Sequence, residues 1–119
     1  MRDVNEAKIN GRLGRDPELK YTPAGLALCK FSIAHNKGKD KKGQERPPMW
    51  LDVVVWGDAA ETVASQFRKG APVLVEGRIE SHDYEVNGQK RRAFEIVASS
   101  VLAVTDAKSG EAGDEDIPL

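Results

Sequence analysis

The sequence predicts an all-β domain: a five-stranded Greek-key barrel with one short helix between strands three and four, followed by a disordered acidic tail. Three observations carry this prediction. Apolar and polar residues alternate in five separate stretches, the period of strands with one buried face. One stretch, 58–70, has helical spacing and end signals,. Beyond residue 104 the apolar pattern gives way to small, polar and acidic residues.

Between Val4 and Leu13, Ala7, Ile9, Gly11 and Leu13 alternate with Lys8, Asn10 and Arg12, giving a first strand whose polar face is largely basic. Asp16-Pro17 breaks it, ELKYT is a short extended piece, and Thr22-Pro23-Ala24-Gly25 reads as a turn,. From Leu26 to Ala34 a second strand puts Ala27, Cys29, Phe31 and Ile33 on one face, so Cys29 is expected in the core. Residues 35–48, HNKGKDKKGQERPP, lack apolar periodicity and form a polar loop. Within 37–46 the cations Lys37, Lys39, Lys41, Lys42 and Arg46 outnumber Asp40 and Glu45. Taken alone, that composition fits a solvated hairpin tip.

The third strand, MWLDVVVWG from Met49 to Gly57, holds both tryptophans of the chain. Strand alternation places Trp50, Asp52, Val54 and Trp56 on one face and Leu51, Val53 and Val55 on the other. The aliphatic face is expected in the core, and the face with two indoles and a carboxylate partly in water. Asp58 is expected to cap the helix, with Glu61 completing a capping box. Ala60, Val63, Ala64 and Phe67 form its apolar stripe, Arg68 and Lys69 suit its last turn, and Gly70 its end,. Val73, Val75, Gly77 and Ile79 then alternate with Leu74, Glu76, Arg78 and Glu80 in a fourth strand. A polar connection around Asn87-Gly88 leads to a last strand within 91–104, where Phe94 and Ile96 alternate with Glu95 and Val97. Three strands, a helix and two strands match the OB-type barrel, which binds oligonucleotides or oligosaccharides across its second and third strands. The fold alone does not choose between those ligands.

The chain has 119 residues, enough for one domain with a real core,. Its charge is nearly balanced overall, with 18 Lys+Arg against 19 Asp+Glu, but unevenly spread. Residues 1–104 carry 17 basic and 14 acidic side chains, a net of +3, and residues 105–119 carry one and five, a net of −4. The expected division is therefore a barrel over 1–104 and a tail over 105–119. A single cysteine excludes an internal disulfide framework and fits a reducing compartment,. No apolar run approaches membrane-spanning length and MRDVNEAKIN lacks a signal-peptide core, so a cytoplasmic protein without membrane partners is expected,.

Single strands held without sequence readout need flat rings that stack on bases and cations that follow phosphates. Trp50 and Trp56 are candidate stacking platforms, with Tyr84, between the fourth and fifth strands, a third. The alternative is that the tryptophans pack beneath a loop or in a subunit interface. Candidate phosphate partners are Lys8, Arg12, Arg15, Lys20 and Lys30, together with Lys37, Lys39, Lys41 and Lys42 of the basic loop. Catalysis has no basis in the sequence. His35 and His82 have no Cys or His at ligand spacing, so no metal or other cofactor is expected,. GRLGRD lacks the lysine and hydroxyl of a phosphate loop,. The tail ends in Asp114, Glu115, Asp116, Ile117, Pro118 and Leu119, which reads either as a docking peptide or as a solvated acidic end,.

VNEAKINGRLGRDPELKYTPAG, MWLDVVVWGDAAETVASQFRKGAPVLVEGRI and the terminal DEDIPL closely resemble the bacterial single-stranded-DNA-binding protein family. The resemblance runs through nearly all of 4–104 and resumes at the last six residues. It implies an OB barrel that forms a homo-oligomer, usually a tetramer, and wraps single-stranded DNA in replication, recombination and repair. It also implies nucleoid association. Trp50, Trp56 and Tyr84 fall where the family places stacking aromatics, and 114–119 resembles its peptide for recruiting replication, recombination and repair proteins.

The sequence departs from the family pattern in several places. Asn36-Lys37-Gly38-Lys39 lacks a frequent loop tryptophan, and Leu51 replaces a frequent histidine. Asp52 and Glu80-Ser81-His82-Asp83 replace residues that are often basic, and Leu119 replaces the usual phenylalanine. These departures imply weaker DNA binding or altered docking. They keep a second reading open, an accessory or primosomal-type paralogue acting mainly as a protein-interaction module. An OB barrel for RNA or oligosaccharide is a more distant third.

Overall fold

The structure, a computed structural model, describes residues 1–104. The expected tail, 105–119, with its docking tip, lies outside the described residues. The elements in order are β1 (Ala7–Leu13), β2 (Glu18–Tyr21), β3 (Ala27–His35), β4 (Met49–Trp56), α1 (Asp58–Gln66), β5 (Pro72–Val86) and β6 (Gln89–Ala103). Five strands close a barrel in the cyclic order β1-β5-β6-β4-β3, because β1 pairs with both β5 and β3. All contacts around the ring are antiparallel except the parallel one between β4 and β6. The short ELKY piece is a further strand, β2, hydrogen-bonded to the outer edge of β3 from Glu18↔Lys30 to Tyr21↔Ala27.

Alternation decides what enters the barrel. Cys29, Ile33, Val53, Val73 and Val75 are completely inaccessible, and Phe31, Val55 and Ile96 are buried with them. Burial pushes the Cys29 thiol above its ordinary pKa, which leaves it as a small apolar core residue,. At one end Ala60 and Val63 of α1, with Phe67 just beyond it, close the core. Strand β1 can touch both neighbours because Gly11 lacks a side chain: a Cβ there would lie 2.8 Å from the Ala34 carbonyl oxygen.

The helix is capped differently from the sequence expectation. Gly57, with φ 78° and ψ −150°, is the N-cap, and no side chain supplies the cap hydrogen bond. The left-handed turn that ends β4 requires glycine and moves the cap one residue ahead of Asp58. Glu61 instead accepts a hydrogen bond from the Tyr21 hydroxyl, tying β2 to α1. That bond holds the Tyr21 hydroxyl above its usual pKa. At the other end Phe67 leaves helical geometry, with φ −117° and ψ 149°, and buries its ring. Arg68 follows the helix, and its Nη1 donates to the carbonyl oxygens of Ala64 (2.7 Å) and Phe67 (2.8 Å), meeting the helix's unpaired C-terminal acceptors.

Strands β5 and β6 are longer than the sequence pattern indicates, each 15 residues. They pair without a break from Val73↔Ala103 to Val86↔Gln89, apart from a bulge next to Glu76/Gly77. Their distal halves leave the barrel as a hairpin whose two faces meet water, which erases the alternation expected of a half-buried strand. Asn87 (φ 51°) and Gly88 (φ 79°) form the two-residue turn, the left-handed pair that such hairpins favour. Tyr84 therefore sits on β5 rather than in a connection, and Phe94, paired with Ser81 beyond the barrel, is 61% exposed. At the N-terminus the Asn5 side chain mimics a strand partner: its amide donates to the Ile79 carbonyl oxygen (2.8 Å), and its oxygen accepts from the Ile79 N–H (2.9 Å). Among the described residues no helix is long and apolar enough to cross a membrane.

The bulge makes Gly77 indispensable, since a Cβ there would stand 2.1 Å from the Val97 carbonyl oxygen. Gly77→Ala is expected to lower unfolding free energy by about 1–3 kcal/mol or more. Urea denaturation followed by circular dichroism would measure it; an unchanged midpoint would refute this close approach.

Candidate nucleic-acid interface

The outer face of β4 is read from its register with β3. Trp50 lies opposite Ala34, Asp52 opposite Ser32, Val54 opposite Lys30 and Trp56 opposite Leu28. The two indoles are 58% and 43% exposed, whereas Val53 and Val55 between them point inward and are buried. Six residues of strand separate the tryptophans by roughly 20 Å. Between them the face carries Asp52, which accepts a hydrogen bond from the Ser32 hydroxyl (2.9 Å), and Val54, which is buried although the sequence pattern puts it on the wetter face.

Gly14, just after β1, sets the position of the first indole. A Cβ at Gly14 would come within 2.6 Å of Trp50 Cζ3, so the ring lies directly over this glycine. The Gly14 N–H donates to the Ser32 carbonyl oxygen (3.0 Å), fixing that backbone against β3. In the sequence Gly14 stands out only as part of GRLGRD; its contact with a strand 36 positions later arises from barrel closure.

A groove of about 400 Å³ opens on the part of β4 between the indoles, neither of which lines it. Its lining includes Lys30, Ser32, Asp52 and Val54 from β3 and β4, Arg15 and Glu18 near β2, and His82, Tyr84, Ala93 and Glu95 from the β5–β6 hairpin. Parallel pairing of β4 with β6 sets Glu95 next to Asp52. His82 Nδ1 is 3.8 Å from Glu95 Oε1, and Tyr84 stands 45% exposed farther along the hairpin, its ring 6.3 Å from that of His82. The neighbouring Glu80 is engaged by Arg78 Nε at 2.7 Å.

The candidate cations divide into groups. Arg15 and Lys30 line the groove. Arg12 lies opposite Ala34 on the row that leads to Trp50, and its Nη1 donates to the Gly70 carbonyl oxygen (3.1 Å). Lys20 on β2 is 3.5 Å from Glu18, and Lys8 on β1 is 3.5 Å from Glu76, outside the groove lining. Lys37, Lys39, Lys41 and Lys42 are exposed on the β3–β4 loop. This loop has internal order: the backbones of Lys39 and Glu45 form an isolated antiparallel β-bridge, and Asp40 Oδ1 accepts from the N–H groups of Lys42 (2.9 Å) and Gln44 (3.0 Å). Its lysines therefore project from a small hairpin beside β4. His35, at the base of the loop, is structural: its Nδ1 pairs with the Asn10 carbonyl oxygen at 2.8 Å, clipping β3 to β1. Among the described residues no group of three or more His, Cys, Asp or Glu side chains is placed to hold a metal ion.

Comparison with known proteins matches this arrangement to a family. The family model described as "Single-strand binding protein family" covers residues 4–104. The chain belongs to this family. Among its relatives, the single-stranded DNA-binding protein of Treponema pallidum (strain Nichols) is 41% identical over 118 residues, 98% of this chain and 66% of that protein. Single-stranded DNA-binding protein A of Bacillus subtilis (strain 168) is 37% identical, with 92% of this chain and 64% of that protein aligned. The chain thus spans about two thirds of the length of these curated relatives. Among solved structures, the Plasmodium falciparum SSB complex with ssDNA has the same fold, with a TM-score of 0.79 at 22% identity, covering 88% of this chain and 98% of that one. The family relatives are named for binding DNA rather than for catalysis.

Gly14→Ala is expected to push the Trp50 indole off its seat while leaving Trp56 unchanged. In a Trp56→Phe background the emission maximum of Trp50 should move. An unaltered spectrum would refute the stacking of the ring on Gly14.

Proposed function

We propose that this chain binds and protects single-stranded DNA without sequence specificity, as a non-catalytic protein of DNA replication, recombination and repair. The observation that carries this reading is the pair of exposed indoles on one face of β4 beside a groove lined by Arg15 and Lys30. Aromatic rings stack on any base, and cations bind any phosphate, so the chemistry is indifferent to sequence. Family membership supports it, as does the fold shared with a protein solved in complex with ssDNA. The same reading includes assembly as a homo-oligomer, a tetramer being favoured, and nucleoid association in the cytoplasm. It also includes recruitment of replication, recombination and repair proteins through Asp114, Glu115, Asp116, Ile117, Pro118 and Leu119.

A second reading draws on Asp52 and Glu95, which put negative charge on the same face. It makes the chain an accessory or primosomal-type paralogue with weak DNA binding that acts mainly through protein contacts. Titrating the intact chain with single-stranded DNA, beside a variant that lacks 114–119, separates the two. Retained DNA binding with lost partner recruitment fits the first reading, whereas negligible DNA binding by the intact chain fits the second.

Anisotropy titration of labelled oligo-dT should give binding that weakens with salt, with a log–log slope of roughly −0.7 per phosphate neutralised. Trp50→Ala and Trp56→Ala should each cost roughly 1–3 kcal/mol. Salt-independent binding would remove the cations from the proposal, and unchanged affinity in a folded variant would remove that tryptophan.

A further inference from the structure

Of the three carboxylates that line the groove, Glu18 lies opposite Lys30 and 3.5 Å from Lys20 Nζ, whereas among the described residues no lysine or arginine pairs with Asp52 or Glu95. Asp52 and Glu95 are direct neighbours across the parallel β4–β6 pairing. Among the described residues Asp52 meets one donor, the Ser32 hydroxyl, and Glu95 meets only His82, at 3.8 Å. A carboxylate accepts about four hydrogen bonds, so both retain acceptor capacity. Glu80, two positions from His82, is held by Arg78. The cations Arg15 and Lys30 line the same groove.

Resting on the proposed single-strand function, we propose that Asp52 and Glu95 read the Watson–Crick edges of bases in the groove, favouring bases with an exocyclic amino group over thymine. Two adjacent anions repel a phosphate, so a strand crossing here turns its phosphates toward Arg15 and Lys30 and its base edges toward the carboxylates. Cytosine, adenine and guanine each offer an amino group there, and a carboxylate accepting from cytosine N4 is an established base contact. Thymine offers a single N–H flanked by two carbonyl oxygens, which face the carboxylates unfavourably. The result is a preference in base composition, with no dependence on base order.

The test compares oligo-dC with oligo-dT of equal length, by anisotropy, at a mildly alkaline pH. The proteins are the intact chain, Asp52→Asn, Glu95→Gln and the double variant, each close in shape to its parent. The intact chain should bind oligo-dC roughly fivefold more tightly than oligo-dT, the size of one net hydrogen bond. The double variant should bring that ratio near one. If the carboxylates only repel phosphate, the substitutions strengthen binding to both oligomers equally and leave the ratio unchanged, which overturns the inference and leaves single-strand binding intact. An intact chain that binds oligo-dT as tightly as oligo-dC overturns it in the same way. Failure of the intact chain to bind either oligomer rejects the single-strand function and this inference with it.

Discussion

The alternation of side chains along β4 is the constraint on which the rest of the molecule depends. Val53 and Val55 fill the barrel, while Trp50, Asp52 and Trp56 are exposed on the opposite face and Val54, between them on that face, is covered. A slip of one residue would bury two indoles and a carboxylate and expose the valines. The register is held on one side by eight residue pairs with β3, from Leu28↔Trp56 to His35↔Met49. On the other side β6 fixes it through Asp52↔Glu95, Val53↔Ile96 and Val54↔Val97. Core stability and the geometry of the candidate interface are therefore consequences of one pairing, so the packing that keeps the barrel closed also keeps the indoles facing outward.

Glycines make this arrangement possible where backbone or rings approach closely. Gly11 lets β1 reach β3, Gly77 admits the Val97 carbonyl oxygen at the bulge, and Gly14 forms the seat of Trp50. Beyond the bulge β5 and β6 leave the barrel, and their distal halves carry His82, Tyr84 and Ala93 to the groove, while Glu95 lines it from within the β4–β6 pairing. A hairpin that protrudes from the barrel in this way is a physical route from backbone irregularity to a wall of the candidate site.

Much of this was legible in the sequence because its signals are local. The faces of β3 and β4 follow from a two-residue period, and Cys29, Phe31 and Val53 take the positions that period assigns, whereas Val54 is buried on the face that the period leaves to water. The cap of α1 was misplaced because a glycine with a left-handed backbone serves as N-cap without any side-chain signature. The length of β5 and β6 was hidden because residues 80–94 face water on both sides, although Asn87-Gly88 is a readable hairpin turn. The neighbours of Asp52 were out of reach for a different reason. Glu95 meets it only through a parallel pairing across 43 positions of chain, and periodicity carries no information about which strands become neighbours. The groove combines local alternation, which is readable, with ring closure, which is not.

The central claim is that the outer face of β4 is the surface that meets single-stranded DNA. It is tested most directly by fluorine NMR of the chain labelled with 5-fluorotryptophan, whose two indoles give two assignable resonances. Addition of a single-stranded oligonucleotide should shift both resonances in proportion to occupancy, while an equal concentration of duplex leaves them in place. Binding established by an independent method with neither resonance moving would contradict the account, because it would put the strand on another face of the barrel.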